Sequence, residues 1–189
     1  MNKKLLAVVL AASCFSAGNA MAVDGGEINI NGLVSDETCP ATVNGGSNDV
    51  NITLKTAKPS DITALNDKAL GAYPAAISIS VNCSNAAANK TATMSFTSTF
   101  HSSTQGTLEN DNSISSPAKG VNIALHDVSA TTPALVKVND PSSKISSPID
   151  STSHIATFNY MASYVKSSST ATVTSGPVKT NATYTLTYQ

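Results

Sequence analysis

The segment EININGLVSDETC, residues 27–39, is a short alternating stretch that ends in a cysteine. Ile28, Ile30 and Val34 share one face of an extended chain, and alternation with period two is typical of a half-buried β-strand. Gly32 occupies the remaining apolar position of that face. Because glycine weakens a strand interior unless another surface must approach closely, the pattern raises the question of which surface this strand meets.

The first 22 residues have the three parts of a secretory signal peptide. MNKK is a positive n-region, LLAVVLAASCF is an apolar h-region, and Ala20-Met21-Ala22 has the small-x-small pattern of a cleavage site. We therefore expect an exported protein that begins near Val23. No later segment approaches the roughly 20 apolar residues of a membrane-spanning helix, so no transmembrane segment is predicted.

Two cysteines, Cys39 and Cys83, remain after the signal peptide is removed. An even pair in an oxidising compartment favours a single disulfide, whereas a pair of metal-binding thiolates lacks further Cys or His at ligand spacing. The chain has 11 basic and 12 acidic residues without a block of like charge. Nucleic-acid binding requires a basic patch, so no nucleic-acid partner is expected.

The composition and the recurring short alternating runs predict an all-β sandwich or barrel. Strands are expected in VNITL, AISISVNC, ATMSFTSTF, GVNIALHDV, ALVKV, ATFNYMASYV and ATYTLTYQ. A short helical connection is expected after Pro59, capped by Ser60 and ended by Gly71. Three polar segments, 102–120, 139–154 and 166–176, are interpreted as surface loops of one domain.

No pattern in the sequence indicates catalysis. His101, His126 and His154 are scattered, none has metal-ligand spacing, and we interpret them as surface residues. No serine stands in a nucleophile motif. The sequence therefore predicts no enzyme activity, no catalytic residues, no metal site and no cofactor.

The C-terminal segment NATYTLTYQ alternates as clearly as the N-terminal one. Ala182, Tyr184, Leu186 and Tyr188 share one face, with threonines between them. This predicts that the C-terminus is a core strand. From the pattern alone, an edge strand that completes a sandwich is favoured over a docking role.

Together these features resemble the pilin subunits of chaperone–usher fimbriae, the type 1-like family. The resemblance covers the mature chain: a signal peptide, an alternating strand containing glycine, Cys39, ISISVNC with Cys83 about 44 residues on, FNYMASYV, and GPVKTNATYTLTYQ with its penultimate tyrosine. It implies an incomplete immunoglobulin-like β-sandwich that lacks its last strand and is completed in trans by a donor strand. A periplasmic chaperone first fills the groove, and at an outer-membrane usher the next subunit replaces it.

The resemblance also implies roles for residues. Ile28, Ile30, Gly32 and Val34 form the donor strand to a neighbouring subunit, and the disulfide joins Cys39 to Cys83. Ala182, Tyr184, Leu186 and Tyr188 border the groove, where the chaperone contacts them and anchors the Gln189 carboxylate. Because the family's donor strand works in trans, we do not expect the N-terminal segment to complete its own groove in the productive manner.

The implied organisation is a signal peptide at 1–22, a donor-strand extension at 23–34 and a pilin domain at 35–189. The implied function is that of a structural subunit of an adhesive fimbria, exported through the periplasm to the cell surface, with other pilins and copies of itself as fibre partners. A shaft subunit is favoured, most simply the major one. A minor or adaptor pilin and a self-complete secreted immunoglobulin-like binding module remain as alternatives.

Overall fold

The computed structural model describes residues 39–64, 70–84 and 90–188 in full, together with the backbone of residues 26–33. Regular structure in these residues consists of β-strands and one short 3-10 helix, Pro59–Asp61. The strands are β1 (Gly26–Leu33), β2 (Ala41–Val43), β3 (Val50–Leu54), β4 (Ala72–Asn82), β5 (Thr91–Thr97), β6 (Leu108–Glu109), β7 (Val121–Asp127), β8 (Ala134–Leu135), β9 (Ile145–Pro148), β10 (Ile155–Lys166) and β11 (Val178–Tyr188).

The strands form two sheets, which confirms the predicted all-β architecture. One sheet, here called the β11 sheet, has the order β3-β1-β11-β5-β9. The other, the β10 sheet, has the order β2-β4-β10-β7-β6, with β8 paired to β7. Among the strand pairings in the described part of the chain, β1 with β11 is parallel and every other pairing is antiparallel.

Alternating residues of both sheets form the core between them. On β11 every second residue from Val178 to Leu186 is buried, as period-two alternation predicts. The two sheets meet where Phe96 and Tyr160 pack edge to face with ring centroids 5.1 Å apart. Two buried aromatic rings in this geometry contribute about 0.5–1.5 kcal/mol beyond the burial of their area.

One end of the sandwich, here called the Val178 pole, contains the start of β11. Gly26 and Leu54 are paired there, and Gly26 is in register with Val178. The N–H of Ala118 donates to the Pro177 carbonyl, which brings the segment before β7 to the same end. The Val178 pole therefore holds the beginning of β1, the end of β3 and the beginning of β11.

The opposite end, the Cys39 pole, contains the end of β11 and the disulfide. Tyr188 is in register with Ala92 at the start of β5. The Asp150 N–H donates to the Ile155 carbonyl and so connects the two sheets at this end. Cys83 directly follows β4, whose last residue pairs with Ile155, and it is bonded to Cys39. The predicted Cys39–Cys83 disulfide is thus confirmed and lies at this pole.

Three short strands lie in segments where the sequence predicted none. β2 follows Cys39, while β6 and β9 lie inside two of the three polar segments interpreted as loops. β6 begins with Leu108, which is fully buried, and β9 pairs with β5 at the rim. Strands of two to four residues are too short to display alternation, so their positions depend on tertiary pairing.

In its described residues, 55–64 and 70–71, the connection between β3 and β4 contains one helical turn, the 3-10 helix Pro59–Asp61, which lies within the predicted helical stretch. The Asp61 carboxylate, not Ser60, caps this turn by accepting the Lys58 N–H at 3.1 Å. This bond, followed by one from the Tyr73 hydroxyl, lowers the pKa of Asp61. The predicted helix end at Gly71 follows residues 65–69, which lie outside the described residues; the Gly71 N–H donates to the Ser163 hydroxyl just before β4.

The interpretation of all three histidines as surface residues is wrong for His126. This residue lies on β7, whose residues from Val121 to His126 are all buried, and it has no exposed surface. Strand β7 is covered on both faces, so alternation along it does not separate core from solvent. His101 and His154 are half-buried.

A buried amide ties the polar segment 102–120 to the start of β11. The Asn110 side-chain N–H₂ donates to the carbonyls of Ala118 and Pro177, at 2.9 and 3.1 Å, and its oxygen accepts the Lys179 N–H at 2.8 Å. Because Asn110 is only 6% exposed, water does not replace these bonds easily. The Val178 pole is therefore ordered in part by this one side chain.

We expect Asn110→Asp to lower the free energy of unfolding by about 2–3 kcal/mol, because the carboxylate cannot donate and faces two carbonyl oxygens. Urea unfolding followed by circular dichroism measures the change. Asn112→Asp, two residues along the same segment, is the control. An Asn110 variant as stable as this control would contradict the assigned role.

Candidate functional site

The candidate site is the gap between β3 and β11, which is one strand wide. β1 lies in this gap, antiparallel to β3 and parallel to β11. Without β1, the facing edges of β3 and β11 would expose their backbone N–H and C=O groups. The gap therefore requires a strand, whichever chain supplies it.

The floor of the gap is apolar. Ile52 and Leu54 of β3 and Ala182 and Tyr184 of β11 are each at most 5% exposed. Their buried positions alternate with exposed ones along both strands. A strand that enters the gap consequently meets an apolar surface on one face and solvent on the other.

The register places the predicted donor positions opposite the buried positions of β11. Ile28 is in register with Thr180, Ile30 with Ala182, and Gly32 with Tyr184. Val34 and Gln189, two further predicted site residues, lie outside the described residues. The structure thus brings the N-terminal and C-terminal segments together, although within one chain.

Tyr184 crosses the gap at the level of Gly32. Its hydroxyl donates to the Asn48 carbonyl at 3.1 Å, on the far side of the gap just before β3. Extending the β1–β3 register by two residues puts Gly32 opposite Asn48 as well. The tyrosine side chain therefore bridges from β11 towards β3 at the one position of the alternating segment that has no side chain.

This crossing could not be derived from the sequence. The alternation of NATYTLTYQ indicates that Tyr184 is a core residue, but Asn48 lies 136 positions away and contributes only a backbone carbonyl. The pattern did contain one relevant signal, the glycine in the apolar face of residues 27–39. It predicted a close approach without identifying the approaching group.

Thr180 is the polar exception in the floor. The residue is 1% exposed, and its hydroxyl has no hydrogen-bond partner among the described residues. A buried hydroxyl without a partner costs about 1–3 kcal/mol. The present arrangement, with Ile28 in register with Thr180, does not remove that cost.

The C-terminal residues of the predicted groove-bordering set lie beyond the part of β11 that pairs with β1. Leu186 is fully buried and Tyr188 is half-buried, and both lie past Thr185, the last residue of β11 that pairs with β1. On the other edge of β11 both residues are paired with β5. The end of β11 therefore has one edge that β1 does not cover.

Metal-ligand clusters and clefts were the other candidate kinds of site in the described residues. These residues contain no group of three or more His, Cys, Asp or Glu that could hold a metal ion. A cleft of about 450 Å³ opens beside β3 and β11, but most of the residues that line it are polar, among them Asp49, Asn51 and Lys179. Small-molecule sites are mostly apolar with a few convergent polar groups, and this cleft lacks that character. In the described part of the chain, no helix is long and apolar enough to cross a membrane.

The environment of Tyr184 keeps its phenol protonated. Burial raises the pKa of Tyr184, and the nearby negative charge of Asp49 adds to the effect. The hydroxyl consequently remains a donor to the Asn48 carbonyl throughout the neutral range. Burial likewise raises the pKa of Tyr160 and Tyr164.

We expect the contribution of the buried tyrosines to stability to be constant below about pH 10, the ordinary tyrosine pKa, and to fall as pH rises towards their raised folded values. Tyr184→Phe should lose about 1 kcal/mol at pH 8 with the hydrogen bond, and its stability should fall less steeply above pH 10. Urea unfolding at pH 8–11 measures both effects. An unchanged alkaline slope would exclude Tyr184 as a contributor.

Comparison with known proteins gives a consistent result. The family model described as fimbrial protein matches residues 28–189. Two of the similar solved structures are an antigen and type I fimbria protein from Burkholderia pseudomallei (22% identity, TM-score 0.43, covering 87% of this chain and 94% of that one) and the CupB6 tip adhesin from Pseudomonas aeruginosa (11% identity, TM-score 0.40, covering 86% of this chain and 40% of that one). No curated protein sequence matches the chain.

Proposed function

Because the chain belongs to the fimbrial protein family, we propose that it is a pilus shaft subunit whose gap between β3 and β11 receives the N-terminal segment of the next subunit. Family membership itself implies an exported, surface-displayed structural protein that assembles into fibres with other pilins. Donor-strand exchange, delivery by a periplasmic chaperone to an outer-membrane usher, and a place in the shaft are the further parts of the proposal. Residues 1–22 are then the signal peptide, 23–34 the donor extension and 35–189 the pilin domain.

The observation that carries the proposal is the direction of β1. An immunoglobulin-like sandwich is built of antiparallel sheets, yet β1 runs parallel to β11. For β1 to fill the same part of the gap, opposite Val178–Thr185, in the antiparallel direction within its own chain, Leu33 would have to lie opposite Val178, at the pole opposite Cys39. β11 is about 34 Å long, whereas the six steps from Leu33 to Cys39 reach at most about 22 Å. An antiparallel strand that fills the gap as far as Val178 must therefore come from another molecule.

The same geometry supports propagation. A donor strand antiparallel to β11 leaves the acceptor at its Val178 pole, and the donating domain begins at its own Cys39 pole. Unlike ends meet, so each subunit gives one strand and receives one strand in an open head-to-tail series. A strand exchanged in the parallel direction would join two Cys39 poles and close a dimer.

The position of β1 also supports a monomer whose own β1 fills the gap, here called the self-closed monomer. This monomer competes with fibre assembly. Parallel pairing is slightly less stable per residue than antiparallel pairing. In addition, it leaves the Thr180 hydroxyl without a partner among the described residues. A chaperone that occupies the gap would protect the exposed strand edges and prevent self-closure. We propose that it contacts Ala182, Tyr184, Leu186, Tyr188 and Gln189.

Paired cysteine substitutions distinguish the two arrangements. The Tyr184 side chain crosses the gap, so the inserted strand should place Gly32, which has no side chain, opposite Tyr184 whether it runs parallel or antiparallel to β11. Ile30 then lies opposite Ala182 within one chain, as observed, and opposite Leu186 between chains. Ile30→Cys with Leu186→Cys should form cross-linked ladders in assembled fibres, and Ile30→Cys with Ala182→Cys should form an internal bond in monomers.

Non-reducing electrophoresis reads out both products. The single variants are the controls for random oxidation. Fibres linked through position 182 and not through position 186 would contradict an antiparallel exchange. A wild-type chain that forms no fibres with its chaperone and usher would contradict the proposed function as a whole.

Gly32→Leu should impair fibre assembly, because the new side chain competes with the crossing Tyr184 ring for the same space. The loss should exceed that of Gly32→Ala, which adds one methyl group. In both variants the chaperone-bound subunit, whose gap the chaperone fills, should fold nearly as the wild type does. Electron microscopy and fibre yield after expression with the chaperone and usher measure the effect, and wild-type yields from Gly32→Leu would refute the assigned fit.

A further inference from the structure

The N-terminal segment has a pattern that is alike at two and at five positions on either side of Gly32. Apolar residues stand two positions away on each side, Ile30 and Val34, and glutamates stand five positions away, Glu27 and Glu37. A strand with such a pattern presents similar residues to a groove when its direction is reversed about the central glycine. The crossing Tyr184 requires the glycine at its level in either case.

In the single chain, Glu27 takes a defined position. It is in register with Lys179 of β11 on one side and with Thr53 of β3 on the other. Lys179 and Lys55 are exposed. Glu27 is thus opposite Lys179 on one side, and on the other side Lys55 lies two residues beyond its partner Thr53.

Reversal about Gly32 brings Glu37 to the same position. With Gly32 kept opposite Tyr184 and the strand antiparallel to β11, each further residue of the donor moves one step towards Val178. Residue 37 of the donor then lies opposite Lys179 and at the level of Thr53. We propose that Lys179, assisted by Lys55, is the register-determining cation of the subunit joint, and that it receives Glu37 of the next copy of this chain.

A second observation points to the same register. The buried Thr180 hydroxyl has no hydrogen-bond partner among the described residues, where Ile28 is opposite. In the reversed register Asp36 is opposite Thr180, two residues from the start of β11. Its carboxylate then accepts a hydrogen bond from the Thr180 hydroxyl. The donor strand of the fibre therefore continues through Glu37, beyond the residues 23–34 that the apolar pattern alone defines.

Other charges near Lys179 limit the size of the effect. The Asp111 N–H donates to the Lys179 carbonyl, and the positive charge of Lys179 contributes, after the Ser113 hydrogen bonds, to the lowered pKa of Asp111. Lys179 therefore already faces one carboxylate on the side away from the gap. An exposed pair of this kind changes an equilibrium by a factor of about two to five at low salt, and less at high salt.

The test, which rests on the proposed function, uses the full chain assembled with its chaperone and usher. Glu37→Lys should raise the rate of subunit dissociation from fibres about two- to fivefold at low salt, and Lys179→Glu should do the same. The double variant Glu37→Lys/Lys179→Glu should restore the wild-type rate. Lys144→Glu, an exposed lysine distant from the gap, is the control for the change in net charge.

Two further variants separate the inference from the proposed function. Thr180→Val, which keeps the shape and removes the hydroxyl, should destabilise fibres and leave the self-closed monomer unchanged or more stable. Glu27→Lys should weaken the self-closed monomer and leave fibre dissociation unchanged. Glu37→Lys fibres that dissociate at the wild-type rate would overturn the proposed register. A double variant that does not restore the wild-type rate would overturn it as well. Failure of the wild-type chain to form any fibre would instead overturn the proposed function.

Discussion

The gap between β3 and β11 is the feature on which the rest of the molecule depends. The edges of these two strands face each other across the width of one strand, above an apolar floor, and β1 pairs with both of them. Such an arrangement is not stable when open to water, because backbone polar groups and apolar side chains are exposed together. The sandwich is therefore complete only with a strand in this gap, which β1 occupies here. Under the proposed function, the direction of that strand determines whether the molecule closes on itself or continues into the next one.

The direction that β1 takes in the gap is limited by the length of the connection between Leu33 and Cys39. The five residues between Leu33 and Cys39 suffice for a strand that ends near the Cys39 pole, and they cannot return a strand from the Val178 pole. A short connection thus excludes one of two otherwise similar pairings within a chain. The excluded pairing is the antiparallel one, which an immunoglobulin-like sheet favours.

The sequence predicted the strands that are long enough to alternate and failed where pairing is decided by distant residues. β4, β5, β10 and β11 follow directly from their patterns, and the disulfide follows from an even pair of cysteines in an exported chain. β6 and β9 are too short for any period. His126 was misjudged because β7 is buried on both faces. The contact of Tyr184 with a backbone carbonyl 136 positions away leaves no trace in a local pattern.

The position of the disulfide has a mechanical consequence. In a fibre joined through the gap, tension enters each subunit at Cys39, after the donor segment, and the bond to Cys83 transfers it to the long strand β4, which lies between β2 and β10 in the β10 sheet. The guest strand is then pulled along its own length, so that its ladder of hydrogen bonds is sheared as a group and not opened one bond at a time. Because the Cys39–Cys83 disulfide lies where the load enters, the load cannot separate β2 from the sheet before it acts on the donor strand in the gap.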